Sequence, residues 1–299
     1  MVTARKRTIN LDITQYYQCQ IDSVRNAFLY GKDKYSGKNY DHRAQWIQDK
    51  IFELSKIFSI ECCAFGIAPR YASIVIYIDH HKATAWSDEE VIKRWTNMYN
   101  HSQTRAYLFE KDKLNKKEQA IKQAEIERYR ANLMSISWYM RNISEFIARA
   151  ANKEDNETGR FWRGRFKTRA LLDKQAVILT MIYTELLPML VNSEKAFKDA
   201  KCTSSHLRTG TSRKIKSLSI RDKFVPISKK DYLQLLQLSK NALTRGDEVI
   251  TSKPLLKLLQ KLKFDEKTWL TQIKEFEKKQ NIVGSFEARK AFRQAQHEE

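Results

Sequence analysis

Glycine and proline are scarce in this chain, with 8 and 4 among 299 residues. That scarcity excludes collagen-like, low-complexity and loop-dominated architectures. Cysteine is equally sparse. The four present, Cys19, Cys62, Cys63 and Cys202, share no metal-ligand spacing. Cys62 and Cys63 are adjacent, so on a strand their side chains point to opposite faces. They are expected to be reduced, small apolar residues of a cytoplasmic protein rather than a zinc site. No apolar run reaches the roughly 18–20 residues that a membrane-spanning helix needs. The basic start MVTARKRTINLD leads into no apolar stretch, so no secretory signal is expected and no membrane partner is assigned. The chain also has no P-loop, no GxSxG, no HExxH and no glycine-rich dinucleotide turn.

The chain does have a large excess of positive charge. The formal net charge is +20, from 55 Lys and Arg against 35 Asp and Glu, and the pI is near 9.7. Such an excess points to a polyanionic partner, nucleic acid first and an anionic membrane second. Apolar residues make up 42% of the chain, enough for a substantial core.

Periodicity divides the chain into elements. Residues 8–24 alternate and are rich in β-branched and aromatic side chains, which predicts a strand or two. Residues 30–40, YGKDKYSGKNY, read as a polar loop. From Asp41, the expected N-cap by residue type, Trp46, Ile47, Ile51, Leu54 and Phe58 fall near one helical face. The stretch FGIAPRYASIVIYID reads as the heart of a β-hairpin, with arms Ile60–Ile67 and Tyr71–Ile78 joined at Pro69. A Ser–x–x–Glu pattern from Ser87 to Glu90 opens a helix over 87–99, and acidic residues at its start suit the helix dipole. His80 and His81 read as a loop pair. Residues 108–151 read as one long charged helix, 153–160 as a loop, FKTRALLD as a short strand, and KQAVILTMIYTELLPML as a buried helix ending near Pro188. Together these imply an α+β fold with a ferredoxin-like antiparallel sheet and packed helices. The domain reading is 1–198 for a nucleic-acid-binding domain, 199–230 for a basic linker, and 231–299 for a helical C-terminal region.

The densest chemistry lies in Thr158–Asp173, TGRFWRGRFKTRALLD. It interleaves Arg160, Phe161, Trp162, Arg163, Arg165, Phe166, Lys167 and Arg169. Guanidinium groups bind phosphate oxygens in pairs, and aromatic faces stack on unpaired bases, so this segment is the expected nucleic-acid contact, with Trp162 as the stacking platform. The blander reading is a strand whose Phe residues are core and whose Arg residues are solvated. The clusters Arg5–Lys6–Arg7 and Arg213–Lys214–Lys216 read equally well as phosphate contacts or as loose ends.

The same segment resembles the "G-x-[LF]-W-[QE]-G-R-[FY]-K" stretch of REP-associated tyrosine transposases, a branch of the single-tyrosine HUH transposases. LDITQYYQCQ, the run from Arg25 to Ile67, SISWYMRNISEFIARAANKED and WLTQIKEFEKKQNIVG extend the resemblance over most of the chain. It implies an HUH-type sheet, action on single-stranded or hairpin DNA, and a bacterial, nucleoid-associated setting. In that family the hairpin reads like "M-x-N-H-x-H-h-h-h", and its two histidines hold a divalent metal beside the scissile phosphate. Here those positions fall at Tyr71 and Ser73, both poor ligands at neutral pH. Arg70 is expected to place a fixed positive charge where the metal would sit. The nucleophilic tyrosine of the family has no counterpart in NISEFIARAAN. Tyr139 and, further upstream, Tyr129 on the same expected helix are displaced candidates. In MIYTELLPML, Tyr183 and Pro188 fit the family's "Y-h-x-L-N-P-h-R-A", whereas Leu187 and Leu190 replace its Asn and Arg.

The expectation is therefore a transposase-derived DNA-binding protein with a degenerate active site. Its contacts would be Arg70, Arg160, Trp162, Arg163, Arg165, Lys167 and Arg169. It would hold no metal and no cofactor, and RNA is a second possible ligand. Two alternatives stay open. One is an active enzyme using Mg²⁺ or Mn²⁺ with Tyr139 as nucleophile. The other is a nucleic-acid-binding subunit that meets a protein partner through its C-terminal helices.

Overall fold

The computed structural model describes residues 8–24, 27–99, 115–191, 200–209, 227–244, 253–265, 268–278 and 281–296. Their elements run β1 (Tyr16–Asp22), α1 (His42–Ser55), β2 (Ile60–Ala68), β3 (Tyr71–Ile78), α2 (His80–Thr84), α3 (Asp88–Met98), α4 (Lys116–Leu133), α5 (Ile136–Asp155), β4 (Lys167–Leu171) and α6 (Lys174–Val191). Then follow α7 (Ser205–Thr209), α8 (Lys229–Thr244), α9 (Lys253–Lys261), α10 (Trp269–Lys274), β5 (Ile282–Val283) and α11 (Phe286–Ala295). The class is α+β. Five strands form one open mixed sheet in the order β2-β3-β1-β4-β5; only the β4–β5 pair is parallel. Among the described residues, no helix is long and apolar enough to cross a membrane.

The register sorts side chains onto two faces. Gln18 pairs with Val75 and Arg169, and Gln20 with Ser73 and Lys167. With a period of two, Tyr16, Gln18, Gln20 and Asp22 share one face with Tyr71, Ser73, Val75, Lys167 and Arg169. This face carries most of the polar groups. The other carries Tyr17, Cys19, Ile21, Ile74, Ile76 and Ile78, all buried. It packs against α5 through Tyr139, which lies among Cys62, Cys19 and Cys63, and α1 packs alongside α5. A bulge lies between Cys62 and Ala64, so Cys63 is the extra residue of β2. All four cysteines are buried and free.

Helix α6 covers the β2–β3 part of the polar face. Its approach has a local cause. Pro188 has no N–H to donate, so the Thr184 carbonyl one turn back is released from the helix ladder. That carbonyl sits against Gly66. A Cβ built on Gly66 would lie 1.9 Å from the Thr184 oxygen and 2.8 Å from the Pro188 ring. The helix was expected to end near Pro188. It instead continues to Val191 with Pro188 inside it, because the unpaired carbonyl is placed against the Gly66 backbone.

Other expectations need correction. The strand is confined to Tyr16–Asp22, because the Asn10 side chain accepts from the N–H of Asp12 and Ile13 and turns the chain before it. Asp41 holds the N-cap position of α1 as expected, but its carboxylate makes no cap hydrogen bond and accepts from Gly31 N and Asn39 Nδ2 instead. Ser87 caps α3 as expected, but Glu90 pairs with Arg94 at 2.6 Å rather than closing the box. His80 and His81 open a short helix capped by Asp79. The described part of 108–151 is two helices, broken where Ser135 caps α5.

The segment expected to be a linker packs tightly where it is described. Ala200, Cys202, Thr203, Ser204 and Ser205 are all buried. Ile67 N donates to Cys202 O at 2.7 Å and Ser204 N to Phe65 O at 2.9 Å, so this segment covers the open edge of β2. The C-terminal region also joins the main core. Tyr183 stacks on Phe276 at 4.3 Å, Trp269 donates to Ser239 at 2.9 Å, and β5 extends the sheet. The basic clusters at 5–7 and 213–216 lie outside the described residues, as do the side chains of Leu187 and Leu190.

Candidate nucleic-acid interface

The polar face is closed over Ser73 and open near Tyr71. Ser73 is 2% exposed. Its hydroxyl accepts from Gln18 Nε2 at 2.9 Å and lies 3.4 Å from Thr184 Oγ1. Gln18 in turn accepts from Arg169 at 3.1 Å, and the Arg169 guanidinium lies 5.1 Å from the Phe276 ring. Tyr71, two residues earlier on β3, is half-buried and borders open space.

That space is a groove of about 610 Å³ lined by Gln20, Asp22, Ser23, Val24, Arg70, Tyr71 and Arg163. A smaller recess bordered by Gln18, Gln20, Lys167, Arg169 and Asn281 adjoins it through Gln20. Asp22, which lines the groove, pairs with Lys167 of the adjoining recess at 2.8 Å. Burial pushes the Asp22 carboxyl up, but hydrogen bonds from Gln20 and Lys167 and the charges of Lys167 and Arg163 outweigh it. The carboxyl is held below the usual range.

The loop before β4 is pinned along the end of β1. Val24 N donates to Phe161 O at 3.0 Å and Arg163 N to Asp22 O at 2.9 Å, and Ser23 bridges to Trp162. Phe161 is buried. Trp162 Nε1 donates to Ser144 O at 2.8 Å, and its ring meets Phe161 edge-on at 4.8 Å. Trp162 is half-buried and anchors the loop through its indole N–H and its contact with Phe161. The interleaved pattern resolves into aromatics facing in and Arg160, Arg163 and Arg165 exposed. Arg70 is exposed at the hairpin turn, its guanidinium 5.5 Å from the Phe28 ring and its carbonyl accepting from Ser23 N at 2.8 Å. The structure thus brings Arg70, Tyr71, Arg163, Lys167 and Arg169 to one face, places Arg160 and Arg165 on the adjoining loop, leaves Trp162 half-buried, and separates Ser73 from solvent.

The two tyrosines weighed as nucleophiles lie elsewhere. Tyr139 is fully buried, edge-on to Phe58 at 5.5 Å. Burial holds its phenol well above the usual tyrosine range. No phosphodiester reaches it in this conformation. Tyr129 stacks on Trp95 at 4.8 Å and donates to Glu125 at 2.7 Å. Burial, then the Glu125 contact, raises it to about 12. It belongs to a small separate core between α3 and α4.

A divalent metal does not fit the positions that the resemblance marks for it. Tyr71 offers a phenol, and the Ser73 hydroxyl is committed to Gln18 and Thr184. Hard divalent cations are held by carboxylate or carbonyl oxygens and borderline ones by imidazole or thiolate. Among the described residues, no group of three His, Cys, Asp or Glu is placed to hold a metal ion.

Sequence reasoning missed Gln18, Gln20, Asp22 and Asn281, which line the groove from β1 and from the residue preceding β5. The signal for the first three was their alternation along YYQCQID, which puts each polar residue on the same face. Asn281 carried no signal, because its place depends on a two-residue strand. Comparison with family models, curated proteins and solved structures finds no match for the chain.

Proposed function

We propose that this chain is a transposase-derived DNA-binding protein that grips single-stranded or hairpin DNA along the groove and does not cleave it. The observation that carries the reading is the convergence of Arg70, Arg163, Lys167 and Arg169 on one sheet face beside Tyr71 and Ser73. That is where the resemblance puts the scissile phosphate, and these guanidinium and ammonium groups would supply the positive charge that a metal supplies in that family. The strand order β2-β3-β1-β4, with helices crossing between β1 and β2 and between β3 and β4, is the order of a ferredoxin-like sheet and supports the same reading. The burial of Tyr139 argues against strand cleavage through that residue.

The test is binding of labelled hairpin, single-stranded and duplex oligonucleotides over a range of salt concentrations. Arg70, Arg160, Arg163, Arg165, Lys167 and Arg169 supply six phosphate partners. Full engagement predicts a log–log salt slope of about −4 on a single strand and about −5 on duplex. Arg163→Ala with Arg165→Ala should reduce that slope by about 1.5. A slope near zero overturns the proposal. Tighter binding to RNA of the same sequence would move the ligand class. A phosphotyrosine adduct formed with Mg²⁺ or Mn²⁺ would replace the proposal with an enzymatic one.

A further inference from the structure

Arg70 and Tyr71 form the wall between the groove and a second cavity of about 640 Å³. Phe28, Tyr30, Asn39 and Pro69 line this cavity, and Tyr35 stands on it from the loop between β1 and α1. The loop is tied together by its own hydrogen bonds. The Asp33 carboxylate accepts from Tyr35 N at 3.1 Å, Ser36 N at 3.0 Å and Ser36 Oγ at 2.5 Å. Asp33 N donates to Lys38 O and Gly37 N to Asp33 O, both at 2.9 Å, and Gly37 takes a φ of +71° that suits glycine. This frame presents Tyr35 almost entirely to solvent, 97% exposed, between the exposed Lys32, Lys34 and Lys38. The inner wall is also ordered. The Arg70 guanidinium lies by Phe28, Phe28 stacks on Tyr40 at 5.6 Å and 9°, and Arg43 lies 4.3 Å from Tyr40. Arg43 is held by Glu154 at 2.7 Å, Asp155 at 2.5 Å and Phe28 O at 2.7 Å.

We infer that this cavity takes one unpaired nucleobase of the strand whose phosphates lie along the groove, stacked by Tyr35 and Phe28. The inference rests on the DNA-binding reading. Three features point to this occupant. Aromatic walls suit a flat π-face. Lys32, Lys34 and Arg70 at the cavity suit the phosphates on either side of that base. The shared wall at Arg70 lets one strand occupy both spaces without a break. The hydrogen-bonding groups of the loop are largely spent on itself: Asp33 on its own turn, Asp41 on Gly31 and Asn39, and Asn39 on Asp41. The pocket therefore stacks a base rather than reading its edge, and all four bases should be accepted to similar degrees.

The test uses the full chain and a single-stranded oligonucleotide in which one abasic position, or one 2-aminopurine, is walked along the strand. One position should show an abasic penalty of about 5- to 100-fold in affinity, and a change in 2-aminopurine fluorescence at that same position. Tyr35→Ala, at a site too exposed to affect folding, and Phe28→Leu should each shrink that penalty while leaving the salt slope unchanged. Equivalent abasic positions throughout, or a penalty that survives both substitutions, overturn the base pocket and leave the groove reading standing. Absence of any salt-dependent binding by the unaltered chain overturns both.

Discussion

Arg208→Met should be among the most destabilising single changes in this chain. Arg208 and Glu185 form an ion pair at 3.3 Å, with side chains 3% and 0% exposed. The Glu185 carboxylate also accepts from the Ser204 and Tyr232 hydroxyls, and Arg208 donates to the Cys63 carbonyl. One carboxylate thereby joins α6, the 200–209 segment, α8 and the edge strand β2. Burial, and then the neighbouring carboxylate, hold the Tyr232 phenol well above its usual range, so it stays a donor. Removing one partner of a buried pair leaves an uncompensated charge and costs about 3–5 kcal/mol. Two hydroxyl donors remain on Glu185 here, which puts Arg208→Met near the lower end, about 3 kcal/mol. Total stabilities are about 5–15 kcal/mol, so the loss is large. The double change Glu185→Met with Arg208→Met removes both charges and should cost at least about 1.5 kcal/mol less than the sum of the singles. Urea unfolding followed by tryptophan fluorescence measures all three. Amide exchange at 200–209 reports whether the β2 edge opens first. If Arg208→Met costs less than about 1 kcal/mol, or if the single changes simply add, the pair is not the clasp described.

Gly66→Ala should cost about 3 kcal/mol or more in the same assay, since the new Cβ meets the Thr184 carbonyl at 1.9 Å and α6 must lift from β2. Tyr139→Phe should leave oligonucleotide binding unchanged and stability within about 1 kcal/mol, because its buried hydroxyl has no hydrogen-bond partner among the described residues; lost binding would return Tyr139 to the site. Burial lowers the His206 pKa, although the Thr203 carbonyl and Glu185 oppose the shift. The folded chain therefore prefers the neutral ring, so this contribution to stability is complete above about pH 6.5 and is lost as pH falls through the lower folded value. His206→Gln should flatten the stability-versus-pH curve below about pH 6.5; an unchanged curve would show that the ring does not titrate with unfolding.

The sequence made the hairpin legible because β-branched residues crowd both arms and Pro69 marks the turn. It made α1 and α3 legible by their apolar spacing. What stayed hidden depends on contacts far apart in the chain. Residues 200–209 read as a linker because they are Ser- and Thr-rich, yet a segment covering a sheet edge and a buried carboxylate needs hydroxyls. Ser204 supplies one to Glu185 and another contact to Phe65. The strand β5 was illegible at two residues long, since its pairing with Ala170 and Leu171 is a backbone event. In the Thr158–Asp173 segment, composition revealed the charge but not which residues face out. The pairing of Ser23, Val24 and Asp22 with this loop decides that.

The closure over Ser73 constrains how any strand can lie. Thr184 and Pro188 press α6 onto Gly66, and Gln18 fills the space between Ser73 and Arg169. A ligand cannot run across the middle of the polar face without displacing that packing. Among the described residues, this face is open at the end where β1 finishes and β3 begins, bordered by Asp22, Arg70, Tyr71 and Arg163, and in the recess beside it at Lys167, Arg169 and Asn281. On the proposed DNA-binding reading, phosphates there would pass Asp22, whose negative charge is partly offset by Lys167 at 2.8 Å. A strand that neutralises Lys167 competes with Asp22 for it, so Asp22→Asn should tighten binding and steepen the salt dependence. Weaker binding in that variant would mean that Asp22 positions Lys167 for the ligand, and that the groove is organised around the carboxylate rather than in spite of it.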